Sequence, residues 1–276
     1  MTRFAMTELL IDRLGQAGGR GPGTQGGPLY IPFALPGERV TASAAGRSWV
    51  LDDILAPSPD RVEPFCPHFG TCGGCQLQHL NEQAQLGFKR DLVMTALSRA
   101  GLDVPVHETI AAPGQRRRVT LHVRGGRVGF MQRESHDLVD IDACPILVPA
   151  LRQEAPAIAR ASAKLLGGDA EIARQFPRVA RIALNGVMVY QAAPPTLAIG
   201  RATVKLPVES FLQPSAGGEA VLARLVIQGI GKAKRVADLF CGVGTFALRL
   251  AETARIFAAD GDRPAIAALA EAVRYA

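Results

Sequence analysis

Three cysteines lie close together in Cys66-Pro67-His68-Phe69-Gly70-Thr71-Cys72-Gly73-Gly74-Cys75, a C-x5-C-x2-C run that constrains this chain more than any other feature. In a reducing compartment cysteines are poor disulfide candidates, and a cluster of them points to a metal or an inorganic cofactor. Cys144, followed by Pro145, supplies a fourth thiol far downstream. Four thiolates suit a [4Fe-4S] cluster, and a Cys-Pro pair also closes the ferredoxin-type run. Gly70, Gly73 and Gly74 let the backbone wrap tightly and aim N–H groups at sulfur. A zinc site is the competing reading, made by four cysteines or by three with His68 or His79. Inert core thiols are a third. The first gap is longer than zinc pairs usually show, which favours the cluster.

With 276 residues, 48% of them hydrophobic and 20% charged, the chain has material for two or three small packed domains. No stretch approaches the roughly 18 apolar residues of a membrane span, and Met1 to Glu8 lacks an apolar signal core. A cytoplasmic protein without a membrane partner is expected. The net charge of +6 and pI of about 9.4 suit a polyanionic partner, since Lys and Arg that neutralise phosphates release counterions.

Residues 7–56 alternate short β-type runs with Gly- and Pro-rich turns, which predicts a small antiparallel barrel over 1–56. The glycine-rich stretch from Gly15 to Pro28 lacks a Gly-Lys-Ser/Thr ending, so it predicts a flexible hairpin loop and not a phosphate loop. A helix is predicted over 81–100, with Asn81 as N-cap, Gly101 as its stop and Leu86, Val93 and Leu97 as its apolar stripe. Strands follow from Arg117 to Ile146, with Gly125-Gly126 as a hairpin turn. A helix is expected near 149–166, strands near 179–191 and 197–208, and a helix near 217–230. A central domain would then occupy 57–205.

From 206 onward the pattern becomes β-α-β-α: strands at Arg235 to Phe240 and Ile256 to Ala259, helices at Thr245 to Glu252 and from Pro264. Asp238-Leu239-Phe240-Cys241-Gly242-Val243-Gly244-Thr245 is a strand entering a glycine turn. Gly242 and Gly244 would let a ligand approach the backbone, and Asp260, ending the next strand, would accept bonds from ribose hydroxyls. The acidic Asp238 favours S-adenosylmethionine (SAM) over NAD. Cys241 has no companion His nearby and reads as a small packing residue. Two parallel strands make no stable open sheet, so the natural protein is expected to continue past Ala276.

The chain resembles the RNA (uracil-5-)methyltransferase family, in its 23S rRNA branch with an N-terminal TRAM domain. The resemblance runs nearly end to end. It rests on Ile31 to Glu38 (IPFALPGE), Cys66 to Leu80 (CPHFGTCGGCQLQHL), Asp142-Ala143-Cys144-Pro145-Ile146, Phe211-Leu212-Gln213 and Asp238 to Phe246. It implies an α+β multidomain protein: an OB-like TRAM barrel (1–56), a central α+β iron-sulfur domain (57–205), and the start of an α/β Rossmann-like SAM methyltransferase domain (206–276). It implies that Cys66, Cys72, Cys75 and Cys144 hold a [4Fe-4S] cluster. Gln213, Phe240, Thr245 and Asp260 fall where the family contacts SAM, beside Asp238, Gly242 and Gly244 of the motif.

Thr245 stands where some members have Asn, and Asp260 where many have Glu. The family's nucleophilic cysteine and general base lie in a segment that would follow Ala276, so the resemblance implies that this chain alone is inactive. The implied partner is RNA, ribosomal before transfer RNA, and the protein would be a monomer. Arg116, Arg117, Arg118, Arg124 and Arg127 form the densest basic group and are the candidate phosphate contacts. A non-catalytic RNA-binding iron-sulfur protein and an NAD-linked oxidoreductase are the rival readings.

Overall fold

The computed structural model describes residues 6–23, 27–46, 48–108, 115–161, 168–175, 178–184, 187–191, 194–208 and 210–275, with backbone alone for 168–190. The chain falls into two compact units, 1–109 and 110–276.

The first unit contains β1 (Thr7–Leu10), β2 (Arg13–Gly15), β3 (Gly18–Gly21), β4 (Leu29–Ile31), β5 (Arg39–Ala45), β6 (Ser48–Ala56) and α1 (Glu82–Arg99). β1, β5 and β6 form one antiparallel sheet and β2, β3 and β4 another. Alternate residues of the strands point inward, so Leu9, Ile31, Val40 and Ala42, with Ile11 and Ala34, make one shared core.

Part of the glycine-rich stretch, Gly18–Gly21, is strand β3 and not the flexible loop expected of it. A methyl group on Gly18 would lie 2.3 Å from the Ile31 carbonyl oxygen, and one on Gly19 would lie 2.6 Å from that of Ala34. The chains approach too closely there for any side chain. Residues 24–26 of that stretch lie outside the described residues.

α1 starts where expected, with Asn81 Oδ1 accepting from Ala84 N at 2.8 Å, and Gly101 ends it at φ +72°. Its expected apolar stripe is not buried: none of its residues is, and Val93 is exposed. Leu92 and Met94 lie off the stripe of Leu86, Val93 and Leu97, so no single face of the helix is markedly apolar.

The second unit begins with β7 (Arg118–Arg124), β8 (Arg127–Met131) and β9 (Leu138–Asp140), followed by α2 (Pro149–Arg152) and α3 (Glu154–Ala161). β10 (Gly168–Gln175), β11 (Arg178–Leu184) and β12 (Val187–Gln191) complete an antiparallel sheet ordered β12-β11-β10-β7-β8-β9. Gly125 and Gly126, both at positive φ (55° and 80°), make the two-residue turn between β7 and β8. Val119, Leu121 and Val123 alternate into a core that Leu151, Ala155 and Ala159 of α2 and α3 cover. The one helix expected near 149–166 is thus two short ones, and its residues 162–166 lie outside the described residues. β10 was not expected at all.

A hairpin of β13 (Thr196–Ile199) and β14 (Ala202–Lys205) leads to α4 (Ala216–Ile230), β15 (Arg235–Leu239), α5 (Ala247–Leu250), β16 (Arg255–Ala259) and α6 (Arg263–Arg274). β15 and β16 pair in parallel. Ile199, Ala202 and Val204 of the hairpin share one core with Val243, Leu248, Ala265 and Leu269. The core of the C-terminal elements therefore extends back across residue 205.

Candidate functional site

The cysteine segment is a closed loop. Val62 N donates to His79 O at 2.9 Å and Asn81 N to Asp60 O at 2.9 Å, which ties its two ends together. Inside, Cys66 N donates to Gln78 Oε1 at 3.2 Å, Cys72 N to His68 O at 2.8 Å, and Gly74 N to Cys72 Sγ at 3.4 Å. Burial pushes the Cys72 thiol up from its ordinary pKa, the Gly74 N–H pulls it down, and the neighbouring Cys75 and Cys66 push it up again. A thiol whose ionisation is opposed in this way is one that a bound cation would stabilise as thiolate. Among the described residues, no group of three or more His, Cys, Asp or Glu side chains is arranged to hold a metal ion. Cys144 belongs to the second unit, where it is buried in the core with Leu147 and Leu151.

One buried carboxylate anchors this loop. Glu38 is 0% exposed; its Oε1 accepts from Arg61 Nε at 2.5 Å and Ser58 N at 3.2 Å. Its Oε2 accepts from Arg61 Nη2 and Leu35 N, both at 2.8 Å. Burial raises the Glu38 carboxyl, but hydrogen bonds from Arg61, Leu35 and Ser58 outweigh it and hold the group below its ordinary range. Arg61 also donates to Phe33 O at 2.7 Å. The Phe33 ring packs edge-on against Phe69 of the loop at 5.2 Å and against His79 at 5.9 Å. His79 is 2% exposed, and neither ring nitrogen has a hydrogen-bond partner among the described residues. Burial and then the Arg61 charge, opposed by Glu38, bring its pKa down to about 4. Sequence reasoning assigned none of this network, because nothing in spacing pairs Glu38 with Arg61.

The second candidate site is the turn after β15. Phe240 stands at φ +61° with 89% of its surface exposed, and Gly242 follows at φ +55° with open space where a side chain would be. Gly244, at φ +91°, differs: a methyl group there would lie 2.5 Å from Leu269 Cδ1, so packing against α6 requires glycine. Asp260, ending β16, accepts from Gly242 N at 2.7 Å and Asp262 N at 2.8 Å. Hydrogen bonds from Asp262 and Gly242 hold its carboxyl below the ordinary range, so it stays ionised beside the open turn. Asp238 takes a hydrogen bond from Ala247 N at the start of α5, and its buried Oδ2 has no partner among the described residues. Burial and then the Asp260 charge raise its carboxyl against the pull of that N–H. Cys241 is 6% exposed and packs in the core as expected.

Gln213 and Thr245 are joined through a buried ion-pair network. Glu219 is 3% exposed; its Oε2 accepts from Arg117 Nη2 at 2.6 Å and its Oε1 from Arg249 Nη2 at 2.8 Å. Arg117 Nε donates to Gln213 O at 3.3 Å and Arg117 N to Pro214 O at 3.0 Å. Arg249 Nη1 donates to Thr245 O. Several arginines of the expected phosphate-contacting group also bond within the chain. Arg117 is committed to Glu219, Arg118 donates to Ser210 O, Arg127 to Leu138 O, and Arg124 to His136 O at 3.1 Å. Arg117 and Arg118 are partly buried by these bonds, whereas Arg124 and Arg127 stay exposed. Arg116 is exposed and its backbone pairs with Ile146 and Val148.

A parallel strand pair with an open glycine turn and an acidic residue after the second strand is an arrangement that α/β folds use for nucleotide cofactors, and β-rich regions precede it here. No protein-family model matches the chain. An "Uncharacterized RNA methyltransferase" of Caulobacter vibrioides is 37% identical, the match covering 97% of this chain and 75% of the relative. The 23S rRNA (uracil(1939)-C(5))-methyltransferase of Halomonas elongata is 32% identical, over 95% of this chain and 67% of its own length. Among solved structures, the tRNA (uracil-54, C5)-methyltransferase of Pyrococcus abyssi, in complex with S-adenosyl-L-homocysteine, superimposes with a TM-score of 0.74. It is 22% identical and covers 97% of this chain and 76% of its own. The chain belongs to the RNA methyltransferase family. Among the described residues, no helix is long and apolar enough to cross a membrane.

Proposed function

We propose that the protein takes part in SAM-dependent methylation of C5 of a uridine in structured RNA, 23S rRNA in particular. The observation that carries the proposal is the glycine turn, open at Gly242 and faced by an ionised Asp260. The name of the Halomonas relative, at 32% identity, supports uracil C5 and ribosomal RNA. SAM, when bound, supplies an electrophilic methyl group. Asp260 would accept from its ribose hydroxyls, while Phe240, Gln213 and Thr245 would line the cofactor, Gly242 would let it approach, and Asp238 and Gly244 would hold the turn.

Uracil C5 is a poor nucleophile. In the family a cysteine thiolate adds to C6, C5 then attacks the methyl group, and a base removes the C5 proton so that the cysteine can leave. The uridine must first leave its stack, at a cost of a few kcal/mol. The part proposed for the residues named above is to bind and orient the cofactor.

Equilibrium binding tests the reading: SAM should bind, NADH should not, and Asp260→Ala should weaken SAM at least about tenfold, roughly 1.4 kcal/mol. NADH binding without SAM binding would end the proposal.

The proposal includes a [4Fe-4S] cluster on Cys66, Cys72, Cys75 and Cys144, supported by the C-x5-C-x2-C spacing of the loop and the all-thiol donor set. Such a cluster would hold the 66–75 segment in one conformation. Iron and sulfide analysis of anaerobically purified protein should give about four of each per chain, lost in Cys72→Ser. Stoichiometric zinc without iron would overturn it.

A further inference from the structure

We propose that Glu219 is a positioning residue for the cofactor site, fixing the Gln213 segment against the Gly242–Thr245 turn. The inference rests on the reading that these two segments bind SAM. Gln213 O, Arg117, Glu219, Arg249 and Thr245 O form one continuous run of charged hydrogen bonds, with links of 3.3, 2.6 and 2.8 Å before the bond to Thr245. Each end of the run is the backbone carbonyl of a candidate cofactor residue.

This run joins the two segments through charged hydrogen bonds, beside the packing of Leu212 on the core that holds Val243 and Leu248. Gln213 lies in an irregular segment before α4, held at Ser210 O by Arg118 and at Pro214 O by Arg117 N. Thr245 lies between the glycine turn and a helix of four residues. Neither stretch has a sheet partner that would set its position. Glu219 sits in the first turn of α4, whose start is fixed by Ser215 Oγ accepting from Gly218 N at 3.0 Å. A capped helix thus presents a carboxylate whose two oxygens each receive one guanidinium. Charge-assisted bonds of this kind give directional hold that isolated surface pairs lack.

The test is SAM affinity by calorimetry, with thermal stability measured alongside, for Arg117→Lys, Arg249→Lys, the double variant and Glu219→Gln. Lysine keeps the charge but replaces the two separate guanidinium nitrogens, one on Glu219 and one on a backbone carbonyl, by a single ammonium nitrogen. Each single lysine variant should lose about five- to tenfold in SAM affinity. The double variant should lose little more than either, because both act through Glu219. Ile199→Val, a destabilising change in the same core, should leave affinity unchanged and separates positioning from general loss of stability.

If Glu219→Gln fails to fold, the lysine series still decides. Wild-type affinity retained in both single variants, or fully additive losses in the double, would overturn the positioning role while leaving SAM binding intact. Absence of SAM binding by the unaltered protein would overturn the cofactor reading and this inference with it.

Discussion

Glu38 and Glu219 are both buried carboxylates clamped by arginine, at 0% and 3% exposure, yet they hold the chain in different ways. Glu38 meets one guanidinium and two backbone amides, and its partner Arg61 is 23 residues away. That pair is neutral, and it closes a local loop whose entropy cost is small. Glu219 meets two guanidinium groups, one of them 102 residues away, and the group carries a net positive charge. A network that reaches so far along the chain assembles only when the unit has folded, and it can transmit position between segments. The neutral pair therefore belongs to stability and the cationic triad to geometry.

The sharpest way to break that comparison is Glu38→Ala. The substitution leaves Arg61, two amides and a cavity in the first unit without their acceptor. Removing one partner of a buried pair costs about 3–5 kcal/mol. Urea denaturation of the altered protein should show a loss of that size, and a loss below about 1 kcal/mol would show that Glu38 does not anchor the loop.

Much of the fold was legible because local rules and tertiary packing agree. Asn81 and Gly101 bound α1, Gly125-Gly126 turns the β7–β8 hairpin, and Asp238 to Phe246 gives a strand running into a glycine turn. The misses have physical causes. Gly18–Gly21 looked like part of a loop because glycine is a poor strand former, but close approach of Gly18 and Gly19 to Ile31 and Ala34 selects it there. Arg117 was grouped with the candidate phosphate contacts because a sequence shows charge and not partners, and its partner is Glu219. Glu219 is 102 residues from Arg117 and has no spacing signal to link it. Asp260, by contrast, was readable, since the end of the second strand fixes its place beside Gly242.

The next test is pH. His79 has a folded pKa of about 4 against an ordinary 6.5, so the unfolded chain binds a proton that the folded chain refuses. Its contribution to stability is complete above about pH 6.5 and is lost as pH falls toward 4, by roughly 3 kcal/mol in total. Glu38, held below its ordinary range, stays ionised through most of that window and loses its own contribution only further down. His79→Phe should keep the ring contacts with Phe33 and Phe69 and remove this slope between pH 6.5 and 4. An unchanged slope in the variant would assign the pH dependence to other groups.

The smallest effect distinguishes the two glycines of the cofactor turn. Gly244→Ala adds a methyl group 2.5 Å from Leu269 Cδ1 at φ +91°, combining overpacking with backbone strain, so it should destabilise by about 2 kcal/mol. Gly242→Ala, at φ +55° with nothing around the new methyl group, carries backbone strain alone and should cost about 1 kcal/mol. The ranking should reverse for SAM. The Gly242 methyl group would fill the open face beside Asp260, whereas the Gly244 methyl group points into the core at α6. Thermal unfolding and SAM titration of the two variants should therefore disagree in order. If Gly242→Ala binds SAM as well as the unaltered chain, the cofactor does not approach over that glycine, and the turn serves packing alone.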